Sequence, residues 1–194
     1  MSDVVDSDRR LFTREEFYRM FDAGLFAQER VELLRGEILT MSPINPPHAS
    51  AGDCIVEALR GVFRDGYVIR EQKPLTLARG SEPEPDVAVV RGRPRDFSHA
   101  HPTRADLVVE IAESCLAKDR RIKAPIYAEA GIAGYWILNL QRRVLEVHRQ
   151  PERIGTDFGF AQTTLYREQD LVSPLALPDA QIRVADLLPS ATES

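Results

Sequence analysis

"ADLVVEIA", residues 105–112, is the stretch on which the fold turns. From Leu107 to Ala112 the side chains are apolar with one exception, Glu110. A continuous apolar run of this length predicts a strand covered on both faces, because a half-exposed strand would alternate. A carboxylate inside such a strand is costly unless it is paired, protonated or bound to a cation, since burial strips its hydration. Glu110 is therefore either a salt-bridged structural residue or part of a site.

Working outward, "EPEPDVAVVRG" (82–92) gives a second short apolar strand at Val87, Val89 and Val90. Proline fixes its own φ and pushes the preceding residue toward extended geometry, so Asp86 is held at a defined place at the mouth of that strand. Taken alone, Glu82, Glu84 and Asp86 read as decoration of a solvated loop. On the other side, "SCLAKDRRIKAPIYAEAG" (114–131) predicts a helix capped at Ser114 and stopped at Gly131. Asp119, Lys123 and Tyr127 are four residues apart and stack on one helical face. Pro125 requires either a kink or a helix that begins close to it, with Lys123 on the lead-in.

The remaining pattern supplies the frame. Thr13 and Glu16 form a capping-box pair before a short amphipathic helix that stops at Gly24. "VELLRGEILTM" (31–41) predicts a hairpin turning at Arg35 and Gly36, although "VELL" alone is also compatible with helix. After the breaker "SPINPP", residues 48–64 carry apolar positions at helical spacing up to Gly66. "YVIREQKPLTL" (67–77) reads as a further strand, and "YWILNL" returns through Gln141 and Arg142 as "VLEVHR", a second hairpin. The segment through "LPDAQIRVADLLP" carries weaker signals. The fold class is a mixed α/β (α+β) domain with its sheet between residues 67 and 148.

The 194 residues, 43% hydrophobic and 28% charged, suit one globular domain, with an ordered core over about 12–188 between looser polar termini. Cys54 and Cys115 lie in apolar surroundings without metal-like spacing, and no apolar run spans a bilayer, so a cytoplasmic protein is expected. A net charge of −5 opposes indiscriminate binding to a phosphate polymer, so any nucleic-acid contact must be local. "RGRPRDF" (91–97) and "KDRRIK" (118–123) are the dense positive clusters, and their sequence proximity to the acids makes them a candidate phosphate-binding rim. No helix-turn-helix or zinc-finger pattern is present.

If the strands bearing Asp86 and Glu110 are neighbours, their carboxylates converge on one hard divalent cation, with a lysine nearby to stabilise charge on a phosphate or to help deprotonate water. That is phosphodiester hydrolysis in outline.

Taken as an ordered set, "VELLRGEILTMSP" followed by His48, "EPEPDVAVV", "ADLVVEIAESCLAKDRRIKAPIYAEAGIAGYWILNL", "LEVHR" and "IRVADLLP" resemble the Uma-type family of bacterial restriction-endonuclease-like proteins, in the PD-(D/E)xK nuclease superfamily. The resemblance runs nearly end to end. It implies a restriction-endonuclease-like core, a mixed sheet flanked by helices. It assigns Pro85 and Asp86 to the "PD" and Glu110 to the "(D/E)". Ala112 stands where the superfamily has its lysine, and Lys123 is the matching candidate from the following helix. Glu32 resembles the additional acid that many members contribute. His48, Asp119 and Tyr127 match family positions as substrate or supporting residues; for Tyr127 packing, and for His48 a hydrogen bond at the helix start, are the competing readings.

The implied mechanism is attack of cation-activated water on a DNA phosphodiester. Asp86 and Glu110 would hold Mg or Mn, with a backbone carbonyl of Ile111 or Ala112, and Lys123 would stand near the phosphate. A homodimer is expected, with the second hairpin offering an edge for pairing. Two other readings stay open: a non-catalytic binding or assembly module on the same fold, and a hydrolase of another phosphate ester.

Overall fold

The computed structural model describes residues 9–113 and 116–190; the outer parts of both termini, the predicted cap at Ser114 and Cys115 lie outside these. Helix α1 (Arg14–Asp22) begins as its sequence requires. The Thr13 hydroxyl accepts the Glu16 N–H at 3.2 Å, and the Glu16 carboxylate accepts the Thr13 N–H at 3.0 Å. Strands β1 (Val31–Leu34) and β2 (Glu37–Thr40) pair antiparallel across Arg35 (φ 50°) and Gly36 (φ 84°), the two positive dihedrals of a tight hairpin turn.

Helix α2 (Pro46–Val62) starts two residues earlier than the spacing predicts. Pro46 and Pro47, read as part of a breaker, instead occupy the first turn, where a missing N–H costs nothing, and Asn45 caps the helix by accepting the His48 N–H at 3.1 Å.

Strands β3 (Tyr67–Glu71), β4 (Val87–Arg91), β5 (Leu107–Ala112), β6 (Tyr135–Asn139), β7 (Val144–Ile154) and β8 (Asp157–Arg167) form one six-stranded sheet in sequential order. Neighbours are antiparallel except β5 and β6, which are parallel. A parallel pair needs a crossover, and residues 116–129 supply it. They run as α3 (Leu116–Lys118), a π-helical turn (Asp119–Lys123) and α4 (Ala124–Glu129).

The π turn resolves the difficulty of Pro125. In a regular α-helix its ring would press on the carbonyl four residues back, at Arg121. Here the Ala124 N–H reaches back five residues to the Asp119 carbonyl, which widens the turn just before the proline. The spacing of Asp119, Lys123 and Tyr127 still brings all three to the buried side.

Every residue of β5 is buried, because both faces of the sheet are covered. Val87, Val89, Val109, Ile111, Trp136 and Leu138 pack under α2 and the C-terminal Val184, Leu187 and Leu188. Ala88, Val108, Tyr135 and Ile137 face α4, with Leu34 of the first hairpin.

Two expectations need correction. The hairpin of β6 and β7 offers no edge, because β8 pairs along β7; the sheet edges are β3 and β8. The cluster at 91–97 does not rim the acids either. Asp86 precedes β4 and Arg91 ends it, and five residues of strand separate them by roughly 17 Å. Among the described residues, no helix is long and apolar enough to cross a membrane.

Candidate active site

The acids gather where β4 begins and β5 ends. Asp86 is fixed through its backbone, whose carbonyl accepts the Gln72 N–H at 3.0 Å, and through its side chain, whose Oδ2 accepts the Ile111 N–H at 2.7 Å. Its other oxygen lies 2.9 Å from His48 Nε2 at the start of α2. Glu110 points to the opposite face of β5 from Ile111. There its Oε1 accepts from Lys123 Nζ at 2.9 Å and from the Tyr127 hydroxyl at 2.6 Å.

Glu32 comes in from β1, fully buried. Its Oε1 lies 2.6 Å from Lys118 Nζ, its Oε2 lies 3.4 Å from Lys123 Nζ, and Oε2 also accepts the Glu84 N–H at 3.3 Å. The acids of "EPEPD" are thus no solvated decoration: Glu82 is buried against Arg14, and Glu84 pairs with Arg30 at 3.1 Å.

Glu32, His48, Asp86, Glu110, Asp119 and Lys123 line one cavity of about 230 Å³. Of the seven residues singled out from the sequence, only Tyr127 stays out of it. Its ring is fully buried against Tyr135, 5.0 Å between centroids, and its hydroxyl holds Glu110 from behind. The backbone of His48 joins the helix cap, as one of its readings has it, while its ring meets Asp86.

The profile of a family described as "Putative restriction endonuclease", Uma2, matches residues 14–185. The chain belongs to the Uma2 family. A crystal structure from Anabaena variabilis ATCC 29413, described as "a putative nuclease belonging to DUF820", aligns with 91% of this Uma2 chain and 97% of its own. The TM-score is 0.71 at 15% sequence identity, so this likeness speaks for the fold. No curated protein matches the Uma2 chain.

The charges of the Uma2 cavity do not balance. Five carboxylates, Glu32, Asp86, Glu110, Glu113 and Asp119, share it with three cationic side chains, Arg30, Lys118 and Lys123. Burial, opposed by Lys123 and reinforced by Asp86, Asp119 and Glu32, pushes Glu110 well above the usual carboxylate range. For Lys123 burial works downward, but the summed attraction of Glu110, Glu32, Asp119 and Asp86 outweighs it and holds the amine protonated. Lys123 thereby brings a positive charge into the cavity.

Burial, against the pull of Lys123 and with the push of Asp86, lifts Asp119 from 3.8 to about 6. A carboxyl whose folded pKa is raised binds its proton more tightly in the native state. It therefore weakens the fold as pH climbs through that window, and the penalty is complete by pH 7. Asp119→Asn is expected to stabilise the protein by about 1–3 kcal/mol at pH 7, a gain that disappears near pH 4; urea unfolding at the two pH values measures it.

Sequence reasoning placed Lys118 and Arg120 on a solvated basic rim. Lys118 turns inward onto Glu32, while Arg120 stays exposed and covers the buried Glu146 of β7 through two hydrogen bonds. Asn45 and Glu113 were missed. They line the same cavity, with the Asn45 amide donating to the Glu113 carboxylate. The signal for Lys118 was present as its spacing of five from Lys123, which only the π turn makes meaningful.

Proposed function

We propose that this chain is a divalent-cation-dependent nuclease that hydrolyses DNA phosphodiesters at the cavity between α2, β5 and the π turn. The observation that carries this reading is the meeting of Asp86 and Glu110 in one acidic cavity with Lys123 held against Glu110. Among the described residues, no three or more His, Cys, Asp or Glu side chains are grouped to hold a metal ion. The donor set fits Mg2+ or Mn2+ even so, because such ions take one or two carboxylates and complete their shell with carbonyls, waters and substrate oxygens. The surplus of carboxylates supplies the attraction.

Asp86 and Glu110 would hold the cation. Ile111 is the better of the two candidate carbonyl donors: its N–H faces Asp86, and a strand residue's C=O points the same way. The Ala112 carbonyl is already taken by the Leu140 N–H at 3.0 Å. A bound cation would supply charge neutralisation at the phosphate and acidify water. The chain's own part is electrostatic. Lys123 places a permanent positive charge where negative charge grows on the phosphoryl oxygens. Glu32 spaces the two lysines, Tyr127 fixes Glu110, and His48 fixes Asp86.

The internal pairing of Glu32, Asp86 and Glu110 favours, as a second reading, a non-catalytic module on the same fold. The two separate cleanly. Supercoiled, linear and single-stranded DNA are offered with Mg2+ or Mn2+ to wild type and to Asp86→Asn. Cutting by wild type alone supports the nuclease; equally intact DNA in every lane overturns it.

A further inference from the structure

A second polar cavity, of about 390 Å³, shares no residue with the acid pocket. Arg14, Tyr18, Thr76, Glu82, His99 and His101 line it, with Phe97 and Ser98. Two of the protein's four histidines stand here, on the loop that follows the basic cluster at 91–97. Nothing in the proposed cleavage uses them.

The buried acid of this cavity is accounted for. Glu82 is 2% exposed, and its carboxylate meets the Arg14 guanidinium, the Thr76 hydroxyl at 2.8 Å and the Tyr18 hydroxyl at 3.4 Å. A buried cation that touches two of its lining residues, His101 and Phe97, is not. Arg70 of β3 is 8% exposed, yet among the described residues no acid pairs with it and its Nε has no partner. Its contacts are weak ones. Nη2 lies 3.5 Å from the Pro74 carbonyl and 3.4 Å from His101 Nδ1, and the guanidinium carbon stands 5.3 Å from the Phe97 ring centroid. Lys123, also buried, has two carboxylates.

An arginine cannot shed its proton, and an uncompensated buried charge costs several kcal/mol, so an anion from outside is the natural complement. A guanidinium hydrogen can only donate, so the contact with His101 makes Nδ1 the acceptor and leaves the proton on Nε2. The ring then carries a donor on its far side, backed by the positive charge of Arg70.

We propose that His101, backed by the charge of Arg70, forms a phosphate-oxyanion site in the cavity lined by residues 97–101. The ligand chemistry is a phosphoryl group, free or at the end of a nucleic-acid strand, bound by imidazole N–H and guanidinium charge. This site stands independently of the cleavage reading.

The test titrates inorganic phosphate into wild type and Arg70→Met against chloride at matched ionic strength. At tenfold excess over its dissociation constant, phosphate is expected to raise the wild-type Tm by about 3–5 °C. Arg70→Met is expected to lose that shift while melting, in phosphate-free buffer, no lower than wild type, since an apolar replacement removes an unpaired buried charge. His101→Phe keeps Arg70 and the ring volume and is expected to bind phosphate at least about fivefold more weakly, which serves should Arg70→Met fail to fold. A short duplex with 5′-phosphates, set against its 5′-hydroxyl twin, identifies the source. A shift with free phosphate, or with the phosphorylated duplex alone, supports the site. A wild type indifferent to both, or a shift that survives in Arg70→Met and His101→Phe, overturns it.

Discussion

Asp86→Asn is expected to lower cation-dependent DNA cleavage by at least about 10³-fold while leaving the metal-free protein close to wild type in stability. The choice of asparagine matters. The amide is the size of the carboxylate, and its oxygen can still accept the Ile111 N–H, which stands 2.7 Å from Oδ2 in the native chain. Its NH2 can face His48 Nε2, which then accepts. What disappears is the negative charge. Alanine would instead leave the Ile111 N–H buried without a partner, a cost of about 1–3 kcal/mol that confuses folding with chemistry. The readout is twofold: supercoiled-plasmid cleavage, and the rise of Tm with Mg2+ or Mn2+, which wild type should show and Asp86→Asn should lose. Cleavage at the wild-type rate by the asparagine variant would remove Asp86 from the mechanism.

That prediction draws on a site largely legible from the chain. A lone carboxylate in an apolar strand is an energetic anomaly visible without coordinates, and it led to Glu110. The fixed geometry before Val87 led to Asp86, and four-residue spacing led to Asp119, Lys123 and Tyr127. The partners of these residues were harder to read. Nothing in "VELL" says that Glu32 will be fully buried among two lysines, because β1 lies outside the main sheet and its burial comes from tertiary contacts. Lys118 reads as surface charge because a run of cations has no local signal of which way each side chain faces.

The sheet beyond β7 was the least legible part. Gln150 adopts φ 58° and Pro151, Glu152 and Arg153 follow within the same strand, so the distal half of β7 has neither alternation nor apolar run. It holds its shape through pairing with β8 and through Arg35, which reaches Asp157 at 2.6 Å and 2.8 Å. Those are long-range causes. The same physics misplaced the sheet edge, and with it the proposed route to a dimer.

Lys123→Met is expected to destabilise the protein by about 3–5 kcal/mol at pH 7, a fall of about 6–20 °C in Tm, quite apart from its effect on cleavage. The ammonium group is the shared partner of two buried carboxylates, 2.9 Å from Glu110 and 3.4 Å from Glu32. Glu32 keeps Lys118, but Glu110 keeps only the Tyr127 hydroxyl. Glu110 is already pushed up by burial in the native protein, and Lys123 is the main opposing influence. Without it the folded pKa rises further above the unfolded value of about 4.3, so the variant should regain stability as pH falls toward that value, whereas a packing defect would not respond to pH. Adding Glu110→Gln should recover most of the loss at pH 7, because a neutral amide needs no counter-charge. Urea unfolding of the single and double variants at pH 5 and 7 measures the coupling. A single variant as stable as wild type at pH 7, or a loss that the second substitution deepens, would show that the lysine does not neutralise Glu110. It would then have no fixed charge to bring to a phosphate.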